Sequence, residues 1–366
     1  MRIFTNTHRR HSPLPTAPRR RRIGIRSMKA LHSLCAGIAC VCLLCSAACS
    51  RRAQTIRQKR RDLCVDVRDR IREVPQAGSL MLGSTVRLFA VDDRLLVLDA
   101  TSNDRLIHIF DVRDLRCLGS RIRRGRGPGE IVIPGDPIVD APNRRFLLPD
   151  HGRLLIYGYD IDSLLADPDY RAGVAMEMQA RSFPVSSAFV DERRLIGVIV
   201  EPEGSNSFRQ RMASWDIASG EIVPMSYEHP KIERRRIGFA VSPKDDLYVE
   251  VYRNHDLLTF CSLDGTLKYN VYGPRWNRAP SNAVSYFGKA QFCRDKLVVA
   301  YSGGDNRTEE RHPTRLMVFD RSGRYLKTLE TGYKICDFCY DEVSGRLFFS
   351  LDAEIQLAWM DAGDLL

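Results

Sequence analysis

The chain lacks the short motifs that announce most enzyme chemistries. No glycine-rich loop ends in Gly-Lys-Ser/Thr, no Gly-x-Ser-x-Gly elbow occurs, and no EF-hand spacing is present. These absences argue against a P-loop nucleotide site, an α/β-hydrolase nucleophile and an EF-hand. His108, His151, His229, His255 and His312 are scattered through the body of the chain without metal-ligand spacing. Cys336-x-x-Cys339 has no second pair to complete a tetrahedral zinc site. On a strand, residues three apart point to opposite faces, so these two read as strand thiols. Cys64, Cys117, Cys261 and Cys293 show no small-domain disulfide spacing, and a chain this long can bury a core without staples. The sequence therefore nominates no catalytic residue, no metal ligand and no cofactor.

A charge excess is also missing from the body of the chain. The formal net charge is +11, but residues 1–27 carry eight Arg and no acid, and Lys29 adds one more. Residues 51–61 add six basic residues and no acid, which leaves 62–366 with a net charge of −4. The high pI thus says little about the folded part, and no nucleic-acid partner is expected.

What is present is a repeat. The stretch Val86–Asp114 reads as strand, acidic turn, strand, polar loop and strand, each apolar run bounded by turn residues. The first large apolar residue after each turn recurs as Leu95, Phe146, Leu195, Leu247, Leu297 and Leu347, at steps of 51, 49, 52, 50 and 50. A second signal follows each, an apolar residue and then Asp: Phe110-Asp111, Tyr159-Asp160, Trp215-Asp216, Leu263-Asp264, Phe319-Asp320 and Met360-Asp361. A repeat of this length with four short strands marks an all-β, six-bladed β-propeller of four-stranded antiparallel blades. The blades read as about 84–124, 138–180, 185–228, 237–273, 284–331 and 334–366, with a helical turn at Ile161–Ala166. The sixth copy ends soon after its third strand, so a strand drawn from roughly Leu63–Leu82 is expected to pair with it and close the ring. Residues 62–75 fit either a strand or a helix face; closure favours the strand.

The amino-terminal region reads as an address. Met28-Lys29, the apolar run Ala30–Ala48 and the small residues before Cys49 have the layout of an export signal over 28–48. Residues 1–27 read as a disordered extension or an upstream misreading, with translation beginning at Met28. Cys49 after Ala47-Ala48 resembles a bacterial lipobox, although Ser46 stands where that pattern prefers an aliphatic residue. Lipidation of Cys49 is the expectation. Ordinary secretion and an uncleaved apolar anchor are the alternatives. Residues 49–61 would then be a lipidated cysteine and a basic tether drawn to anionic headgroups, or a solvated linker, and 62–366 the propeller.

Between the first two copies lies Gly125-Arg126-Gly127-Pro128-Gly129-Glu130, a sharp Gly-Pro turn that reads as a crossover between blades, as an anion nest, or as a clamp that sets Glu130 on the inner rim. Together with the strands Leu95–Asp99 and Ile109–Asp111, and with Val318-Phe319-Asp320-x-x-Gly323 and Asp337–Ser350, it resembles the TolB-like six-bladed propeller lipoproteins of Gram-negative bacteria. The resemblance runs from Val86 to the end. It implies an exported, membrane-anchored propeller, in the outer membrane and facing the periplasm or the surface, with no defined molecular activity.

In a meander, loops joining second to third strands share a face with the crossovers between blades. That rim collects the most polar loops and is the expected site: Arg126, Glu130, Arg253, His255, Asp256 and Asp305, with simple solvation as the bland reading. The loop Gly303–Glu310 reads as exposed chain rather than a calcium site. The expected role is a binding or interaction module of the cell envelope, its partner an envelope protein or a small-molecule or glycan ligand, rather than an enzyme. The rival is a calcium-dependent, lactonase-like hydrolase with carboxylates at the channel. A structural part of an envelope complex would instead carry an apolar rim patch.

Overall fold

The structure, a computed structural model, describes residues 54–366 apart from 76, 78, 79, 81, 85, 180–182, 205, 206, 234 and 277–281. The signal segment and Cys49 lie outside the described residues. The markers of the repeat show why the chain folds as it does. Leu95, Phe146, Leu195, Leu247, Leu297 and Leu347 all fall in the second strand of a sheet, and none is more than 4% exposed. A second strand has neighbours on both edges and both faces, so it reads as a continuous apolar run. The recurring aspartates close the third strands. Asp111, Asp160, Asp216, Asp264 and Asp320 each accept a backbone amide two or three residues on, which turns the chain into the fourth strand or, at Asp160, into a short helix.

The first three strands, β1 (Gln54–Arg57), β2 (Cys64–Asp66) and β3 (Arg72–Glu73), precede the repeats. Blade one is β4 (Val86–Val91), β5 (Arg94–Asp99), β6 (Arg105–Asp111) and β7 (Cys117–Arg123). Blade two is β8 (Ile138–Asp140), β9 (Arg145–Asp150), β10 (Leu155–Asp160) and β11 (Gly173–Glu177), with helix α1 (Ile161–Ala166) where the sequence placed it. Blade three is β12 (Phe183–Phe189), β13 (Arg194–Pro202), β14 (Phe208–Asp216) and β15 (Ile222–Pro224). Blade four is β16 (Ile237–Ser242), β17 (Leu247–Tyr252), β18 (Leu257–Cys261) and β19 (Leu267–Tyr272). Blade five is β20 (Val284–Cys293), β21 (Lys296–Asp305), β22 (Arg315–Asp320) and β23 (Tyr325–Glu330). Blade six is β24 (Ile335–Asp341), β25 (Arg346–Leu351) and β26 (Leu357–Asp361), completed by β3. These six antiparallel sheets stand in a ring as a six-bladed β-propeller. The core lies between blades: six apolar layers, one per neighbouring pair, hold residues such as Phe110, Trp215, Phe260 and Phe319.

Closure differs from the expected long strand. Among the described residues, only Arg72 and Glu73 stand in strand register with blade six, against Trp359 and Ala358, and the Val74 amide donates to the Leu357 carbonyl at 2.9 Å. The segment before them runs along the outside of the wheel, with β1 parallel to β19 on blade four and β2 parallel to β23 on blade five. A straight strand cannot follow walls that turn from blade to blade, so the chain breaks into three short pieces with a 3-10 turn at Arg68–Arg70. Trp359 latches the join, with the Arg346 and Arg72 guanidiniums 4.3 and 5.6 Å from its ring. The basic run expected as a tether is, from Gln54 on, part of the propeller. Arg61 inserts between blades four and five, 2.5 Å from Asp256, with side chains 3% and 1% exposed. Burial requires a partner for that charge, and the run supplies no acid, so the segment docks where the ring offers one.

Candidate functional site

The first strand of each blade faces the central channel, and its side chains alternate between the core and the opening. Val86 and Leu88 are buried, while Arg87 between them is half exposed. Asp136, in the Gly135-Asp136-Pro137 segment leading into β8, pairs with Arg87 across blades one and two. On the other side, Lys289 of β20 lies 3.0 Å from Asp337 of β24, joining blades five and six. The Asp337 carboxylate also accepts the Leu88 amide at 2.7 Å, and the Lys289 ammonium donates to the Leu88 carbonyl at 2.9 Å. Lys289 stands 5.0 Å from the Phe89 ring centroid. Four blades thus meet through two cations and two carboxylates.

Burial in the channel wall pushes the Asp136 carboxyl up, with Asp337 adding to the rise while Arg87 and Lys289 oppose it. His151, near Asp136, is held below the ordinary histidine range by burial, and its Nδ1 is buried without a hydrogen-bond partner. Its ring lies 5.7 Å from Phe183 of blade three. Among the described residues, no group of three or more His, Cys, Asp or Glu could hold a metal ion. Asp136 and Asp337 each already answer a cation.

The expected rim residues scatter. Arg126 is exposed, and its carbonyl accepts Arg153 at 2.7 Å. Glu130 folds back on its own loop, where its carboxylate accepts the Gly127 amide at 2.7 Å. A Cβ at Gly125 would lie 2.0 Å from that carboxylate, so a larger residue there would push the Glu130 side chain off its own loop. The nest is filled from within. Arg253 is exposed on the rim. His255 and Asp256 are buried rather than on the exposed rim: the His255 ring meets Tyr252 edge-on and Trp276 at a tilt, and Asp256 answers Arg61 and the Arg275 amide. Asp305 is exposed and accepts the Arg307 amide at 2.8 Å, ordering its own loop. The structure brings together Arg253, His255 and Asp256 on one loop of blade four, and leaves Arg126, Glu130 and Asp305 apart.

Sequence reasoning missed Arg87, Asp136, Lys289 and Asp337. A signal for three of them was available: a charged residue inside the first strand of a blade must face the channel, because both packed faces are apolar. Asp136 carried no such mark. Cys336 is half-buried and Cys339 buried, and both are free thiols.

No family model matches the chain, and no curated protein matches it. Solved structures do resemble it. A luciferin-regenerating enzyme aligns at 9% identity and a TM-score of 0.52, over 79% of this chain and 94% of its own. A member of the duf4221 family from Bacteroides vulgatus aligns at 11% identity and a TM-score of 0.51, over 76% of this chain and 92% of its own. A candidate exported protein from Bacteroides fragilis gives 11% identity and a TM-score of 0.49, over 81% and 87%. At these identities the likeness shows the fold alone.

Proposed function

We propose that this chain is an exported, TolB-like β-propeller, held on the outer membrane by a lipid on Cys49, that serves as a binding module of the cell envelope. The observation that carries the binding role is the channel cluster: Arg87, Asp136, Lys289 and Asp337 converge from four blades and engage one another. Such a set recognises a ligand by exchanging its own ion pairs for ligand contacts, with Arg87 the most open member. The hydrolase reading needs carboxylates free to cradle calcium, and here each carboxylate is matched by a cation. The ligand is an envelope protein, a small molecule or a glycan. The export signal and the Cys49 context support the address.

Cells fed a radiolabelled fatty acid should label the parent chain and not Cys49→Ala; equal labelling of the two removes the lipid anchor. Added calcium should leave the melting temperature unchanged, and a calcium-dependent rise would favour the hydrolase instead.

A further inference from the structure

The chain joins the propeller on the wall of blade four, at β1, and not at the rim that carries the longest loops. Only residues 50–53 separate Cys49 from Gln54, a span of about 18 Å when fully extended. Just past that point come Arg57, Lys59 and Arg60, all exposed and none with a carboxylate partner among the described residues. Gln58 between them ties the segment to blade five through the Gly323 carbonyl at 2.7 Å. Where the segment crosses from blade four to blade five it borders a shallow cleft of about 250 Å³ lined by Ile56, Gln58, Arg60, Ser322, Arg324 and Tyr325. Arg324 shares its charge with Asp320, and Asp62 is the nearest acid in the segment itself. Arg60 is therefore the uncompensated cation of the cleft.

Building on the lipid anchor proposed above, we infer that the wall of blades four and five around Arg57–Arg60 lies against the anionic surface of the membrane, with Arg60 facing lipid headgroup phosphates. A tether of this length lets these cations reach the bilayer, where a charged surface acts over about 8 Å at physiological salt. The propeller then sits on its side, and the channel opens along the membrane rather than away from it.

The acylated protein, carrying a fluorophore on the exposed Cys64 of β2 in a Cys117→Ser/Cys336→Ser background, is bound to vesicles containing a headgroup quencher. In phosphatidylglycerol-containing vesicles Cys64 fluorescence is quenched, and in pure phosphatidylcholine or at high salt it recovers while the protein stays bound. Lys59→Ala/Arg60→Ala lowers the docked-to-undocked ratio about 25-fold, about fivefold per cation lost. A label on the blade-one edge, at Arg116→Cys, stays bright. Equal quenching at both labels, or quenching indifferent to lipid charge and to the Lys59 and Arg60 substitutions, overturns the docking face. Failure of the parent to remain on any vesicle removes the anchor, and the docking with it.

Discussion

Blades one to three and blades four to six share one four-strand plan but finish their outer edges differently. On blades four and five the fourth strands β19 and β23 are covered by β1 and β2, and blade six borrows its fourth strand from the same segment. Among the described residues, nothing pairs with the outer strands of blades one to three, which are blunted locally. β15 is three residues long and ends in Pro224, β11 is mostly exposed and bulged, and β7 carries a bulge and two arginines. Short strands, proline, bulges and charge each stop an edge from recruiting another chain. Both halves bury carboxylates, Asp99 and Asp150 on blades one and two among them, but among the described residues the ion pairs with both side chains almost inaccessible, Arg61–Asp256 and Arg235–Glu250, involve blade four. Arg235 and Glu250, 2% and 0% exposed and 2.5 Å apart, sit inside blade four, and Tyr252 donates to the same carboxylate at 2.6 Å. Charges held this far from water must be satisfied internally.

Three substitutions probe that contrast. The largest effect is expected at the segment itself. Arg61→Ala leaves Asp256 buried without its cation and should cost about 3–5 kcal/mol in urea unfolding. A loss under about 1 kcal/mol would mean that the segment only covers the ring and does not brace it.

Next comes pH. His229, in the aromatic cluster of blade four, is 3% exposed, hydrogen-bonded to Tyr272, and held down to about 4 by burial first, with His255, Arg235 and Lys231 contributing. Its folded pKa lies below the unfolded value, so the unfolded state takes up the proton first. Stability should fall as pH drops from about 6.5 towards 4, by up to about 3 kcal/mol. His229→Gln should flatten that part of a melting-temperature profile; an unchanged slope would assign the acid sensitivity elsewhere.

The smallest effect belongs to the bare half. Arg193 pairs with Asp216 on blade three with side chains 67% and 32% exposed, and Arg193→Ala should cost less than about 1 kcal/mol. A cost matching that of Arg61 would erase the distinction between the two halves.

Much of the ring was legible because its signals are local. A buried second strand needs an apolar run, and an Asp at the end of a third strand needs only its own next two or three residues to turn the chain, so Leu95 and Asp216 announce themselves. The outer segment was not legible. Strands of four, three and two residues fall below any pattern length, and Arg61 within a basic run reads as solvated. Asp256 reads as a loop acid, and its burial depends on an arginine 195 positions earlier. The channel was opaque for the same reason: Asp337 meets the Leu88 amide across a separation of 249 residues.

Alternation of apolar and turn residues, repeated six times, determined by itself that the chain forms six hairpin-built sheets, because each strand's burial and each turn's hydrogen bonds are decided within a few residues. Only the closed ring decided which charges meet. Ion pairs between blades, and a segment that threads back along three walls, depend on distances set by closure rather than by position in the chain.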